Sequence, residues 1–301
     1  MTVDLSIVVV HWNVPQLLDA CLGSITVERR SSGLSVEVVV VDSASPDARY
    51  RKIVAAHPDV SLVALTENAG FAVGCNAGIA GTTGSAILLL NADTELRPGA
   101  IARLREILHV APHVGMVAPT LLNLDGSVQS RGYRFPGITN VLLDLFPVHP
   151  RLIESTWNGR MPASDGVQPV RIDYPLGAAM MVRRETAQHV GRLDEGYGMY
   201  SEEIDWAMRL ARGGWSVLLA PDAEVVHHGG ASTRQRPAAM HEALWMSRAR
   251  YHEQWSAAWK RWVIARIVDI GLRRDDRNAD EERREANARI RERFLRGERG
   301  R

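Results

Sequence analysis

The first third of the chain alternates strand-like runs with helical patterns, and this alternation constrains the fold more than any other feature. Four runs rich in Val, Ile and Leu predict strands, at Leu5–Val10, Val36–Val41, Val60–Leu65 and Ala86–Leu90. Apolar residues at helical spacing follow the strands, at Pro15–Ile25, Tyr50–Ala56, Gly70–Ala80 and Pro98–His109. This order predicts an α/β fold, with a mostly parallel sheet flanked by helices.

Polar residues stand where each predicted strand ends. They are His11 and Asn13, Asp42 and Ser43, Glu67 and Asn68, and Asn91 and Asp93. Ligands of such sheets bind beyond the carboxyl ends of the strands. Four polar ends in succession therefore predict the rim of a single site.

Composition narrows the class of protein. Of 301 residues, 46% are hydrophobic, which is enough for a sizeable core, and the net charge of +1 argues against a general nucleic-acid binder. Two cysteines, Cys21 and Cys75, fit a reducing compartment and core positions. The first apolar run is short and lacks a basic flank, and no apolar run reaches about 18 residues. We therefore expect a cytoplasmic protein.

The remainder of the chain is less uniform. Residues 114–173 read as irregular and rich in loops, and a clear pattern of strands and helices resumes over 174–226. Arg248–Ile270 is strongly helical in pattern. Asp275–Arg301 is a dense run of mixed charge, which predicts a solvated helix or a disordered tail.

The stretch MYSEEIDWAMRLARGGW, Met199–Trp215, begins a predicted helix with three acids. With Ser201 as N-cap, Glu203 lies on the same apolar stripe as Trp206, whereas Asp205 points elsewhere and can pair with Arg209. Acids in a first turn complement the helix dipole, which is the ordinary explanation. A carboxylate on the buried stripe is costly unless it has a partner or a function.

Two segments after predicted strands carry candidate ligands. Asn91-Ala92-Asp93-Thr94 offers two oxygen ligands two residues apart, which can bind a divalent metal and through it a diphosphate, although a turn explains the same pattern. Asp42 could accept hydrogen bonds from a nucleobase or ribose, or close a turn at the strand end.

The segment ENAGFAVGCNAGI, which starts at Glu67, has small residues that allow close approach to a ligand. It matches neither the P-loop nor the dinucleotide-binding glycine pattern. Asn68 and Asn76 could bind a sugar or base, and Asn68 could instead cap the following helix.

Together these segments resemble a family-2 inverting glycosyltransferase with the GT-A fold, over roughly residues 5–235. The similar motifs, in the family's order, are IVVVHWN, VVVVDSAS, ENAGFAVGCNAGI, LLLNADTEL, LDEGYGMYSEEIDWAMRLARGGW and VVHHGGAST. The form N-x-D resembles that of rhamnosyltransferase-like members. Four positions depart from the usual family residues, namely His11, Ser43, Asn91 and Glu203.

The resemblance implies a role for each matching residue. Glu203 takes the position of the general base. The donor-binding positions are His11, Asn13, Asp42, Ser43, Asn68, Gly70, Asn76, Asn91 and Asp93. The sugar or acceptor pocket comprises Gly177, Ala178, Glu202, Asp205 and Trp206. Mg²⁺ or Mn²⁺ would bind Asp93 and His227, with His228 as the reserve.

The resemblance also implies the partners: a nucleotide-sugar donor, such as dTDP-rhamnose or a UDP-sugar, and a glycan or lipid-linked acceptor in cell-surface polysaccharide biosynthesis. Two other functions stay open, a non-catalytic carbohydrate- or nucleotide-binding relative and a sugar nucleotidylyltransferase. The latter would need a Gly-rich signature with basic residues after the first strand, where this chain has HWNVPQ.

The chain divides into a predicted GT-A domain, 1–235, and a helical extension, 236–301. Trp255, Trp259 and Trp262 fall on one face of a continuous helix in a region with a charge of +6 between Arg234 and Arg274. That face predicts peripheral contact with the inner face of the cell membrane. Packing on the chain's own core, or a homodimer through 244–272, explains the same pattern.

Overall fold

The computed structural model describes residues 3–147, 149–162, 166–230 and 235–299. Ten strands form one sheet. They are β1 (Leu5–His11), β2 (Val36–Asp42), β3 (Val60–Ala64), β4 (Ala86–Asn91), β5 (Thr94–Leu96), β6 (Val114–Leu122), β7 (Val128–Ser130), β8 (Val170–Ile172), β9 (Ala179–Arg183) and β10 (Ser216–His227). Eleven α-helices accompany them in the described residues. They are α1 (Pro15–Ser31), α2 (Arg49–Ala55), α3 (Phe71–Ala80), α4 (Ala100–Val110), α5 (Ile138–Leu145), α6 (Pro150–Ile153), α7 (Arg184–Val190), α8 (Glu202–Arg212), α9 (Pro237–Trp255), α10 (Ala258–Asp275) and α11 (Glu281–Arg299).

The sheet order is β3-β2-β1-β4-β9-β6-β10-β5, with β7 beside β6 and β8 beside β10. The four strands predicted from the first third of the chain are all parallel. In the second half, β9 runs antiparallel to both β4 and β6, so the sheet as a whole is mixed. The prediction of an α/β fold with helices flanking a central sheet is confirmed, and parallel pairing dominates only its first half.

Both faces of the sheet are covered, as the continuous apolar strands predict. In β1, Ile7 and Val9 pack with α1 on one face, whereas Val8 packs with α3 on the other. Cys21 and Cys75 are buried free thiols, one on each side. Because successive side chains of a strand point to opposite faces of the sheet, this one apolar run contributes to the hydrophobic core on each face.

The prediction of an irregular segment over 114–173 was wrong at its start. β6 is a fully buried nine-residue strand at its start. Pro119 makes this strand hard to recognise from the sequence, because proline cannot donate a hydrogen bond to a neighbouring strand and is rare inside strands. The structure accommodates Pro119 at an irregularity in the pairing of β6 with β10, which falls between Ala220 and Glu224.

The C-terminal region also differs from its predicted form. The helix predicted over Arg248–Ile270 is broken at Ser256 and Ala257, whose extended backbone separates α9 from α10. The mixed-charge run forms α11, and Ile290 and Phe294 bury their side chains against α9, α10 and α5. The run is therefore an ordered helix with one buried side.

The break in the helix separates the three tryptophans that the sequence placed on one face. Trp255 is half-buried on α9, whereas Trp259 and Trp262 on α10 are 61% and 55% exposed. In the part of the chain that the structure describes, none of the helices has the length and apolar character that crossing a membrane requires.

Candidate active site

The polar strand ends and the start of α8 surround one cavity of about 550 Å³. Six residues predicted to bind donor or metal line it: Ser43, Asn68, Gly70, Asn91, Asp93 and His227. Four residues predicted for the base and the sugar pocket line it as well: Gly177, Ala178, Glu202 and Glu203. Residues that lie far apart in the sequence therefore converge on a single site.

His11 and Asp42 lie behind the cavity wall and bind each other. His11 Nδ1 is 2.8 Å from Asp42 Oδ1, and the Val14 amide N–H donates to His11 Nε2 at 3.1 Å. Because an amide N–H can only donate, Nε2 is the accepting nitrogen and Nδ1 carries the proton that Asp42 receives. Ser45 donates to Asp42 through both its backbone N–H and its hydroxyl.

These contacts occupy the Asp42 carboxylate. Burial alone would raise the pKa of Asp42, but the hydrogen bonds from His11 and Ser45 outweigh it and hold the pKa below its usual value. Asp42 is therefore an ionised anchor for the turn that carries Ser43.

Asn13 and Asn76, two further predicted donor contacts, also lie outside the cavity lining. The Asn13 side-chain amide donates to Gln235 Oε1 at 2.8 Å and so joins the β1 turn to the segment before α9. The Asn76 side chain donates to the Leu193 carbonyl and accepts from its N–H. Both asparagines hold distant segments together.

Asp205 and Trp206, predicted for the sugar pocket, are buried and lie outside the cavity lining. Asp205 receives Arg209 Nε at 2.8 Å, which is the pairing that their spacing predicts. Its other carboxylate oxygen accepts from Trp255 Nε1 at 3.0 Å. Trp206 is fully buried, and its indole N–H donates to the Gly191 carbonyl.

Asp93 and His227 lie close together in the cavity lining. Asp93 Oδ1 lies 3.4 Å from His227 Nε2. Neighbouring ligands of an octahedral Mg²⁺ lie about 3 Å apart, so the two side chains fit adjacent positions around one ion. His228, the reserve candidate, is bound to Glu95 at 2.8 Å and is not part of the lining.

Asp93 and His227 suit a metal ion that binds together with the substrate. Within the described residues, no three His, Cys, Asp or Glu side chains converge as a ready-made metal cage. Mg²⁺ is commonly held by one or two protein ligands, with substrate phosphates and water completing its shell. Asp93 and His227 match that arrangement.

Glu202 and Glu203 are buried side by side at the start of α8 and both line the cavity. One carboxylate oxygen of each, Oε2, is buried without a hydrogen-bond partner among the described residues. Burial raises the pKa of Glu203 to about 7, although backbone N–H groups at the helix start act against it. Burial and the charge of Glu203 raise the pKa of Glu202 well above its usual value. Near neutral pH Glu203 is therefore partly ionised.

The backbone before α8 is strained. Tyr200 and Ser201 both have positive φ, of 70° and 66°, which non-glycine residues rarely adopt. Ser201 occupies the predicted N-cap position, but its side chain makes no capping bond. A Cβ on Gly70 would lie 1.7 Å from the Gly198 carbonyl, so only glycine allows this close contact between two walls of the cavity.

Helix α9 holds this strained loop and supplies another wall. Ser247 Oγ donates to the Met199 carbonyl at 2.7 Å, and Arg250 pairs with Asp194 at 2.7 Å. Sequence analysis missed the lining residues Trp12, Met199, Tyr200, Arg236 and Met240. Of these, Trp12 and Arg236 interact as a cation–π pair at 5.7 Å, a long-range contact without a local sequence signal.

Comparison with protein families agrees with this architecture. The family model described as Glycosyl transferase family 2 matches residues 6–190, which is more than half of the chain. This chain belongs to glycosyl transferase family 2. The family-2 prediction is confirmed, and the protein is a glycosyltransferase that uses a sugar-nucleotide donor.

Curated relatives of this family-2 glycosyltransferase are similar over most of its length. An N-acetylglucosaminyl-diphospho-decaprenol L-rhamnosyltransferase of Mycobacterium tuberculosis is 28% identical, across 88% of this chain and 90% of the relative. A low-salt glycan biosynthesis hexosyltransferase of Haloferax volcanii is 25% identical, across 75% of this chain and 67% of the relative.

Solved glycosyltransferases share the GT-A fold of this protein. A mannosyltransferase from Pyrobaculum calidifontis, in complex with GDP-Man and Mn²⁺, superposes with a TM-score of 0.55 at 20% identity, covering 99% of this chain and 74% of its own. GalNAc-T7 with UDP, GalNAc and Mn²⁺ superposes with a TM-score of 0.58 at 18% identity, covering 75% of this chain and 43% of its own.

Proposed function

We propose that this glycosyltransferase inverts the anomeric centre of its donor sugar, with Glu203 as general base. The observation that carries the proposal is one cavity lined by both a buried carboxylate and a metal-compatible pair. Glu203 lies against Gly177, where a Cβ would be 3.7 Å from its carboxyl carbon. Asp93 and His227 line the same cavity. An acceptor hydroxyl near Glu203 could attack a sugar whose diphosphate is held near Asp93.

Glu203 has the properties of a base at neutral pH. A pKa of about 7 leaves a substantial fraction ionised, and the ionised form is a stronger base than an ordinary glutamate. Burial and the charge of Glu203 raise the pKa of the neighbouring Glu202 well above its usual value, which favours a neutral Glu202 beside an ionised Glu203. Glu203 thus takes the acceptor proton as the new glycosidic bond forms and the bond to the diphosphate breaks.

Asp93 and His227 would hold Mg²⁺ or Mn²⁺. The ion, when bound, would neutralise charge on the departing diphosphate. The narrow contact at Gly70 and Gly198 and the carboxylate beside Gly177 restrict the space for the donor sugar. Ser43, Asn68 and Asn91 offer polar groups on the donor side of the cavity.

The relatives favour a rhamnose donor and a lipid-linked acceptor. The mycobacterial relative is named for transferring L-rhamnose to a decaprenyl-linked sugar, and its similarity extends over nearly the whole of both chains. We therefore propose dTDP-rhamnose as the first donor to test and a UDP-sugar as the second, with a polyprenyl-linked glycan as acceptor. Cell-surface polysaccharide biosynthesis is the corresponding process.

The exposed side of α10 suits a peripheral contact with the membrane that carries such an acceptor. Trp259, Trp262 and Ile270 are exposed on it, together with Lys260 and the cationic residues of its C-terminal turn. Interfacial tryptophans among cations favour an anionic lipid surface. We also propose that the chain divides at residue 235 into a GT-A domain and a helical extension. Helix α9 of this extension supplies one wall of the cavity.

The decisive experiment measures transfer and donor binding separately. Purified protein is supplied with dTDP-rhamnose or UDP-sugars, Mn²⁺ and a polyprenyl-linked acceptor, and product configuration is read by NMR. We expect an inverted product, and Glu203→Gln should lower turnover about 10²–10⁴-fold while donor affinity stays near normal. Glu202→Gln is the matched control. Near-normal turnover of Glu203→Gln, or retention of configuration, would contradict the proposal.

A further inference from the structure

Gln129 stands at a β-bulge beside the cavity. In the pairing of β6 with β7, Leu121 is opposite Ser130 but Leu122 is opposite Val128, so Gln129 is the extra residue. Such bulges redirect a side chain out of the regular ladder. Here the redirected side chain reaches His227, at the end of β10, 98 residues away in sequence.

The Gln129 amide binds two groups of His227 at once. Its Nε2 is 3.1 Å from the His227 carbonyl oxygen, and its Oε1 is 2.6 Å from His227 Nδ1. A backbone carbonyl only accepts, so the amide nitrogen must face it. The amide oxygen, which also only accepts, then faces Nδ1. The proton between them must therefore belong to His227 Nδ1.

A second set of contacts fixes the same orientation. Gln129 Nε2 donates to Asn123 Oδ1 at 3.0 Å, and Asn123 Nδ2 donates to Ser127 Oγ at 2.9 Å. Ser127 Oγ donates in turn to Asp125 Oδ1 at 2.6 Å. Hydrogen bonds from Ser127 lower the pKa of Asp125, so this carboxylate stays ionised and only accepts. Every bond in the chain therefore has a single direction.

A neutral imidazole carries one ring proton. With that proton on Nδ1, His227 Nε2 presents a lone pair, and Asp93 Oδ1 lies 3.4 Å from it. An imidazole lone pair and a carboxylate oxygen at this distance could bind one divalent cation together. His228 differs, because its own Nε2 is bound to Glu95 at 2.8 Å.

We propose that Gln129 is a positioning residue that holds the His227 proton on Nδ1 and thereby presents a bare Nε2, together with Asp93, to a divalent cation. The proposal rests on the proposed metal role of Asp93 and His227. Metal-binding histidines generally donate their second ring N–H to a neighbouring acceptor, which orients the ring and raises its basicity. Gln129 supplies that acceptor here, from a strand that the sequence did not reveal.

The first test determines the ring tautomer in metal-free protein. Histidines are labelled with ¹⁵N, spectra are recorded at about pH 8.5, where an ordinary imidazole is neutral, and His227 is assigned by comparison with His227→Gln. We expect the proton on Nδ1 in the natural protein and a loss of that preference in Gln129→Met, which has similar length but no amide. His228 should be unchanged in both proteins. A proton on Nε2 of His227 in the natural protein would overturn the proposal, whether or not the variant folds.

The second test measures Mn²⁺ affinity by electron paramagnetic resonance, with UDP or dTDP present. We expect about 10–100-fold weaker binding by Gln129→Met, as for other partners of metal-binding histidines, in a variant whose circular dichroism spectrum shows that it is folded. Unchanged Mn²⁺ affinity despite an altered tautomer would overturn the positioning role. If the natural protein bound no Mn²⁺, the proposed metal role would fail, and the tautomer experiment would still report on Gln129 separately.

Discussion

The rate of transfer should rise with pH because Glu203 must lose its proton before it can act as base. Burial raises its pKa to about 7. Only the ionised form accepts a proton, so activity is low below this pKa and high above it. At pH 6 about 9% of Glu203 is ionised and at pH 8 about 91%, which predicts about a tenfold increase in kcat/KM. A glutamate of ordinary pKa would give almost no change over this range.

The assay follows kcat/KM for the acceptor from pH 5.5 to 8.5 at fixed ionic strength and saturating Mn²⁺. Glu202→Gln is the informative control. Burial and the charge of Glu203 raise the pKa of Glu202 well above its usual value, so we expect Glu202 to be the neutral partner while Glu203 titrates. Its replacement by neutral glutamine should therefore leave the midpoint near 7.

Two results would refute this reasoning. A flat profile between pH 6 and 8 would mean that Glu203 is not the base or that its pKa is ordinary. A midpoint that falls by two units in Glu202→Gln would mean that the charge is shared between the carboxylates, so that neither alone sets the profile. An unchanged circular dichroism spectrum across the range excludes unfolding as the cause of either result.

Three further predictions concern metal, membrane and stability. Asp93→Ala should weaken Mn²⁺-dependent binding of nucleoside diphosphate at least about tenfold in calorimetry, or about 1.4 kcal/mol, whereas Asn91→Ala should weaken it less; equal affinity in Mn²⁺ and in EDTA would exclude the metal role. Trp259→Ala combined with Trp262→Ala should reduce flotation with anionic vesicles, and added salt should reduce flotation of the natural protein; no flotation of the natural protein at low salt would leave dimer formation to be tested. Trp255→Phe should lower the free energy of unfolding by about 1.5–3 kcal/mol in urea titration, because a buried carboxylate loses its N–H donor, and Trp259→Phe is the matched control that should change little.

The first half of the fold could be predicted because its signals are local. A run such as Leu5–Val10 is apolar on both faces, so its burial and its helical neighbours follow from the sequence alone. β6 could not be recognised because Pro119 interrupts the strand pattern, and the structure tolerates it only through an irregularity in the neighbouring strand. Likewise, nothing in the helical spacing of the C-terminal segment revealed the extended backbone at Ser256 and Ala257.

In the candidate site, too, residues with a local sequence signal could be predicted, whereas residues that depend on distant partners could not. Sequence analysis placed Glu203 on the inward stripe of α8, and the structure buries it in the cavity wall. The bond between His11 and Asp42, two residues predicted to contact the donor, could not be predicted because it joins two separate strands. Gln129 carried no signal at all, since its function depends on a partner 98 residues away.

The packing of α9 explains how two carboxylates remain buried beside a strained turn. Isolating charge from water is costly, and positive φ at Tyr200 and Ser201 adds to that cost. Contacts from α9 hold the segment on both sides of this turn: Ser247 binds the Met199 carbonyl before it, and Trp255 binds Asp205 after it. The segment cannot relax toward solvent without breaking these bonds. Helix α9 therefore stabilises the local environment that raises the pKa of Glu203, although it lies outside the residues that the family model matches.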